Sequence, residues 1–308
     1  MTKFEDLSDF DKTVLLVYTN DMHRGPGMVV KNLQKGLEAI GVRCGNTFQS
    51  MPSKYIGVTQ FCHPELLNEW YRDKETLLLG PNLFVLPTDN PSLCQMFDNF
   101  VVPSQWVKEL YEGFELMRDK DINVWSVGID TAEWGDKKLA GPSTPKYDCF
   151  IYHKNRSDQD LAIVEAVCRK FGLKYQTLKY GEYQEHELKT ATQESRFAIL
   201  CTGTESQGIA YMQVLSTDTP CYVFNSPTWK SEDGHISVAA TSIPYWDSRC
   251  GYTSDLVDLK HFEEFLAKVD LGVFIPRKYI LENHTLEKSA QVYYNLLRAC
   301  YNDETVQF

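Results

Sequence analysis

No Cys-x-x-Cys pair occurs in this sequence, although it carries nine cysteines, at positions 44, 62, 94, 149, 168, 201, 221, 250 and 300. An odd, scattered set argues against a disulfide framework or a zinc site and reads as reduced core thiols. No apolar run approaches the ~20 residues that span a bilayer, and the acidic start, Met1 to Lys12, lacks the basic and apolar regions of a signal peptide. The expected location is therefore the cytoplasm, with no integral membrane segment. Positive charge is also scarce: 31 Lys and Arg face 42 Asp and Glu, for a net charge of -11. That balance opposes strong nonspecific attraction to nucleic acid or anionic membrane. Neither internal repeats nor low-complexity tracts are present. The pattern G-x-G-x-x-G fails because position 30 is Val30, and G-x-x-x-x-G-K-[S/T] is missing, which disfavours a nicotinamide dehydrogenase or a P-loop NTPase.

What is present is a long α/β alternation. The 308 residues and 43% hydrophobic content suit two domains of ~150 residues each. The run Thr13 to Tyr18 reads as a strand, and Val29, Val30, Leu33, Leu37 and Ile40 recur at helical spacing after it. Further strands are expected at 55–59, 76–79, 84–86, 99–102 and 124–127, with helices at 64–71 and 104–113, the latter capped by Ser104. The Gly/Pro/Ser-rich stretch 131–146 reads as a linker. A second alternation follows: strands at 148–152, 174–178, 197–201 and 221–224, and helices at 158–171, 185–193 and 205–215. Strands that alternate with helices predict mostly parallel sheets covered on both faces, with ligands beyond the carboxyl ends of the strands.

The most informative stretch is Arg196 to Asn225. It reads as a buried strand, a Gly-containing turn, a helix and a second buried strand. Free backbone N–H groups and the positive dipole at that helix start would suit a phosphate. Glu205 would repel a phosphate, so it is better placed to accept hydrogen bonds from sugar hydroxyls nearby. A sugar nucleotide satisfies both demands.

Glu205, Gly208, Pro220 and the strand Cys221 to Phe224 resemble the donor signature of retaining glycosyltransferases of the GT-B fold, especially glycosyltransferase family 4. The family carries a second Glu eight positions on, used on ribose hydroxyls; this chain has Gln213 there, which can still accept and donate hydrogen bonds. The resemblance implies an α/β protein of the GT-B class, two Rossmann-like domains facing a central cleft. The acceptor-side domain would span 1–138, with the helix at 286–301 packing back on it, and the nucleotide-sugar domain 139–308.

The resemblance further implies a retaining, metal-independent transfer from a nucleotide-diphosphate sugar, a UDP-sugar, to a hydroxyl acceptor, with no separate cofactor. Lys154 and Arg156, just after a strand, are the expected cations for the departing diphosphate. Gln207, Gly208 and Ile209 would hold the diphosphate, and Tyr180 or Tyr183 would stack on the base. Gly25 and Gly27 would form a loop close to the donor. His23, Arg24 and His63 are acceptor-side candidates. Asp9-Phe10-Asp11 and Asp119-Lys120-Asp121 match the metal-holding D-x-D of GT-A enzymes but lack its strand-loop context, so they read as chance. The stretch Ser242 to Trp246 suggests a cleft wall. The short chain also resembles phage-type enzymes that modify hydroxymethylated bases in DNA. Glycan or polysaccharide synthesis, a noncatalytic nucleotide-sugar binder and a nucleotide-sugar epimerase stay open as alternatives.

Overall fold

The computed structural model describes residues 2–18, 24–46, 53–60, 63, 65, 67, 76–135 and 145–308. The chain divides into two compact units, Met1–Gly128 with His284–Phe308, and Ile129–Asn283. In the first unit a short β1 (Thr2–Lys3) precedes β2 (Thr13–Val17), α1 (Arg24–Ala39), β3 (Arg43–Asn46), β4 (Tyr55–Val58) and β5 (Leu77–Leu79). Helix α2 (Pro91–Met96), β6 (Asn99–Val102), α3 (Gln105–Glu112) and β7 (Asp121–Val124) follow. Strands β2 to β7 form one parallel sheet in the order β3-β2-β4-β5-β6-β7. Strands such as β2, with Val14, Leu16 and Val17 fully buried, read as continuous apolar runs because both faces are covered.

Several expectations for this unit need correction. Gly25 and Gly27 lie inside the first turn of α1, not in a loop before it; Pro26 is tolerated there because a first-turn N–H has no helical partner. The apolar segment 84–86 is not a strand. Val85 is exposed, and Leu86 N donates to Asp89 Oδ2 at 2.8 Å to set a tight turn. The last strand ends at Val124 and does not occupy 124–127, because the register pairs Asn99 with Asp121 and Val102 with Val124. Ser104 occupies the N-cap position of α3, but its hydroxyl makes no capping bond. The expected helix at 64–71 falls largely outside the described residues.

The second unit contains β8 (Tyr147–Lys154), α4 (Asp158–Lys170), β9 (Tyr175–Lys179), α5 (Glu185–Glu194), β10 (Ser195–Thr202), α6 (Ile209–Ser216) and β11 (Cys221–Phe224). A hairpin of β12 (Thr228–Lys230) and β13 (Ser237–Ala239), then β14 (Gly251–Ser254), α7 (Leu259–Asp270) and α8 (Pro276–Asn283), completes it. Its parallel sheet runs β14-β11-β10-β8-β9. Alternate residues feed two cores: Phe150, Tyr152, Ala198, Leu200 and Val223 on one face, Cys149, Ile151, Phe197, Ile199 and Tyr222 on the other. The sequence pattern did not anticipate the hairpin, α7 or α8.

The boundary between units falls at Gly128/Ile129, ten residues before the one read from composition. Trp134, 2% exposed, belongs to the core of the second unit, and its carbonyl accepts from Ser216 Oγ at 2.8 Å and Arg277 Nη1 at 2.9 Å. After α8 the chain rejoins the first unit through α9 (Leu286–Cys300), which packs on α1, and β15 (Val306–Gln307), which pairs in parallel with β1. Thr285 caps α9 by accepting from Lys288 N at 3.3 Å.

Candidate functional site

In the second sheet the first strand, β8, has β9 on one side and β10 on the other. Strand order therefore reverses between β8 and β10, and open α/β sheets place ligands beyond the carboxyl ends of the strands at such a reversal. Lys154 ends β8, register pairs it with Thr202 at the end of β10, and Glu205 follows three residues later. The Lys154 ammonium lies 2.7 Å from Glu205 Oε1 and 2.9 Å from Oε2. Both side chains are largely buried, 19% and 12% exposed. Burial pushes the Glu205 carboxyl up from the ordinary range, while the charge and hydrogen bond of Lys154 pull it partly back.

The loop from Gly203 to Gly208 is held tightly. Gly203 N donates to Lys154 O at 2.8 Å, and a Cβ on Gly203 would sit 2.7 Å from the carbonyl of Asn155, so only glycine lets the two strand ends approach. Gly208 has φ +74° at the N-cap of α6, and a side chain there would collide with the Tyr211 ring. Helix α6 thus starts at Ile209. The expected helix from Glu205 is corrected: Glu205 lies in the loop before it, so Glu205 and Gln213 do not share a helical face. Residues 204–207 favour a helix start by type, but the left-handed turn at Gly208 sets it later.

Polar groups without partners gather here. Among the described residues, both amide atoms of Gln207 (8% exposed), Thr202 Oγ1 and Arg156 Nε are buried without a hydrogen-bond partner. Buried polar groups are normally satisfied, so these atoms, at the end of β10 and on the loops that follow β8 and β10, are candidates to bond a ligand. Arg156 also donates through Nη2 to the carbonyls of Phe224, at 3.0 Å, and Asn225, at 3.1 Å. Its guanidinium is thereby anchored to the end of β11.

The other predicted residues separate clearly. Tyr180 is 40% exposed and lies under the Lys154 ammonium, 4.7 Å from ring centre to Nζ, which places it at the site. Tyr183 instead donates to Tyr152 Oη at 3.2 Å and packs on the core. Gln213 is buried and donates to Glu185 Oε1 of α5 at 3.2 Å. Arg24, Gly25 and Gly27 begin α1 in the first unit, and His63 is exposed in that unit. His23 lies outside the described residues. Residues that sequence reasoning missed are Asn225 and Thr241; Thr241 O accepts from Glu205 N at 2.9 Å. Their polar types at the foot of an irregular stretch were the available signal. Ser242, the first residue of the stretch expected to wall a cleft, donates to Thr202 O at 2.9 Å.

No protein-family model matches the chain, and no curated protein matches it in sequence. Solved structures do match in fold. A glycosyltransferase from Rickettsia africae ESF-5 aligns with TM-score 0.63 at 10% identity, over 95% of this chain and 99% of that one. Sucrose-phosphate synthase from Thermosynechococcus elongatus aligns with TM-score 0.58 at 11% identity, over 94% and 99%. The catalytic domain of starch synthase IV from Arabidopsis thaliana, solved with ADP and acarbose, aligns with TM-score 0.58 at 10% identity, over 94% and 99%. The fold is α/β of the GT-B glycosyltransferase class across nearly the whole chain.

Among the described residues no helix is long and apolar enough to cross a membrane, and no group of three or more His, Cys, Asp or Glu is arranged to hold a metal.

Proposed function

We propose that this chain is a retaining glycosyltransferase that moves a sugar from a nucleotide-diphosphate sugar, a UDP-sugar, to a hydroxyl acceptor without a metal ion. The observation that carries this reading is the Lys154–Glu205 pair at the strand-order reversal, flanked by the unpartnered amide of Gln207. Cations and backbone N–H groups suit a diphosphate, and a carboxylate suits sugar hydroxyls. The likeness in fold to sugar-transferring structures, one of them holding ADP, supports it.

In this scheme Glu205 orients the donor sugar. Lys154, Arg156 Nε, the Gln207 amide and the start of α6 stabilise the charge that builds on the departing diphosphate. Gln213 and its partner Glu185 contact the ribose, and Tyr180 stacks on the base. The bond from the anomeric carbon to the phosphate oxygen breaks through an oxocarbenium-like state. The acceptor oxygen bonds to the same face, and its proton passes to the leaving phosphate oxygen. We assign no acceptor beyond its hydroxyl; a hydroxymethylated DNA base is one class to include, against the unfavourable charge of -11.

The test is a thermal-shift panel of nucleotide sugars followed by mass spectrometry of acceptors and NMR of the product anomer. Stabilisation by a nucleotide-diphosphate sugar and a product with the donor's anomeric configuration are expected, undiminished by EDTA. An inverted anomer, or activity abolished by EDTA and restored by Mn or Mg, overturns the scheme.

A further inference from the structure

The connection from β11 to β14 leaves the sheet as the β12–β13 hairpin, and its two roots are bound to each other and to the Glu205 loop. Asn225 Oδ1 accepts from Thr241 Oγ1 at 2.9 Å and from Ser242 N at 2.9 Å, contacts that span 16 and 17 residues. Asn225 Nδ2 donates to Asp255 Oδ1 at 2.8 Å, its N–H donates to Ser254 O at 2.9 Å, and its carbonyl accepts from Arg156 Nη2 at 3.1 Å. Ser242, fully buried, donates through its hydroxyl to Thr202 O at 2.9 Å and accepts from Ser226 N at 3.0 Å. Thr241 O accepts from Glu205 N at 2.9 Å. The loop carrying Glu205 is thus gripped at Thr202 and again at Glu205 itself.

We propose that Asn225 is a positioning residue: with Thr241 and Ser242 it clasps the hairpin roots and so fixes where Glu205 presents its carboxylate. The inference rests on the reading of Glu205 as the donor-sugar contact. A side chain engaged only in closing a local turn would bond two residues on; Asn225 reaches the far root, and the far root holds Glu205. Misplacement of a reacting group by about 1 Å is worth about a hundredfold in rate, so a clasp on its backbone is a rate device. The hairpin becomes a lever, because displacement of either strand is transmitted through Thr241 O to the Glu205 peptide.

The full chain is compared as wild type, Asn225→Ala, and the double variant Asn225→Asp with Asp255→Asn, which keeps the Oδ1 acceptor at position 225 and reverses the outer hydrogen bond. Amide hydrogen exchange of the Glu205 segment, UDP binding by calorimetry and hydrolysis of UDP-glucose are measured. In Asn225→Ala, exchange at Glu205 rises about tenfold, and kcat falls by about ten- to a hundredfold while KM stays within about threefold. The double variant retains wild-type values. Thr241→Val, which deletes one donor only, gives a smaller change in the same direction and serves if Asn225→Ala fails to fold. Unchanged exchange at Glu205 in these variants overturns the clasp, as does equal loss in the double variant. A wild type that neither binds UDP nor hydrolyses UDP-glucose overturns the reading of the site instead, and the exchange comparison still judges the clasp.

Discussion

Arg298 Nη1 donates to Tyr55 Oη at 2.7 Å, joining α9 to β4 across 243 residues of sequence. Tyr55 Oη in turn donates to Asp303 Oδ2 at 2.6 Å, and Lys54 pairs with that carboxylate at 2.6 Å. Arg298 is 5% exposed, so its charge depends on these partners. Tyr55→Phe should therefore destabilise the first unit by about 1 to 3 kcal/mol, the range for stranding a buried polar group. Calorimetry of the variant checks this, and an unchanged melting curve would show the network to be dispensable.

His284 predicts a pH dependence in the same unit. Burial pushes its imidazole down from 6.5 to about 4, and Nδ1 lies 2.8 Å from Ser126 Oγ. Between pH 6.5 and 4 the unfolded chain binds a proton that the folded chain refuses, so falling pH favours unfolding. Stability present above pH 6.5 should decline toward pH 4 by about 3 kcal/mol from this group. Urea titrations across that window should show the loss in wild type and a flatter profile in His284→Gln.

Removing Lys154 should take away the cation that offsets burial of the Glu205 carboxylate. Lys154→Met is expected to cost about 1 to 3 kcal/mol and to raise the Glu205 carboxyl further, moving the acid limb of a pH profile upward. Adding Glu205→Gln should return most of that stability without returning transfer. Thermal melts of the two single variants and the double variant give the coupling; strict additivity would deny the pair any energetic role.

Gln207 should behave in the opposite sense. Its amide is buried without a partner among the described residues, so Gln207→Leu should leave stability unchanged or raise it by up to about 1 kcal/mol. UDP affinity should nonetheless fall. A variant that loses stability but keeps UDP affinity would return Gln207 to the core.

Gly208→Ala places a side chain at φ +74° against the Tyr211 ring. It should destabilise the second unit by more than about 1 kcal/mol and weaken UDP binding, since it displaces the start of α6. Calorimetry with and without UDP separates the two effects.

Much of the second sheet was legible because two-sided burial writes apolar runs: β11 falls at Cys221–Phe224 as expected, and α4 begins at Asp158, one residue after its cap Ser157. What escaped was short or polar. Strands β12 and β13 have three residues each and largely exposed faces, so no apolar period marks them. The start of α6 is not legible in residue type, because the left-handed Gly208 overrules residue preference. Candidate residues Glu205 and Lys154 could be named singly. Their contact, 51 residues apart, depends on the register of β8 against β10, which composition does not encode.

The hairpin roots have a consequence for how this fold can be remodelled. Ala240 N donates to Pro227 O at 3.0 Å, so the chain leaves and re-enters at nearly the same point. Residues 228–239 form a cassette: a foreign loop or a small domain grafted there would inherit a ready-made anchor, and the parallel sheet beneath would need no redesign.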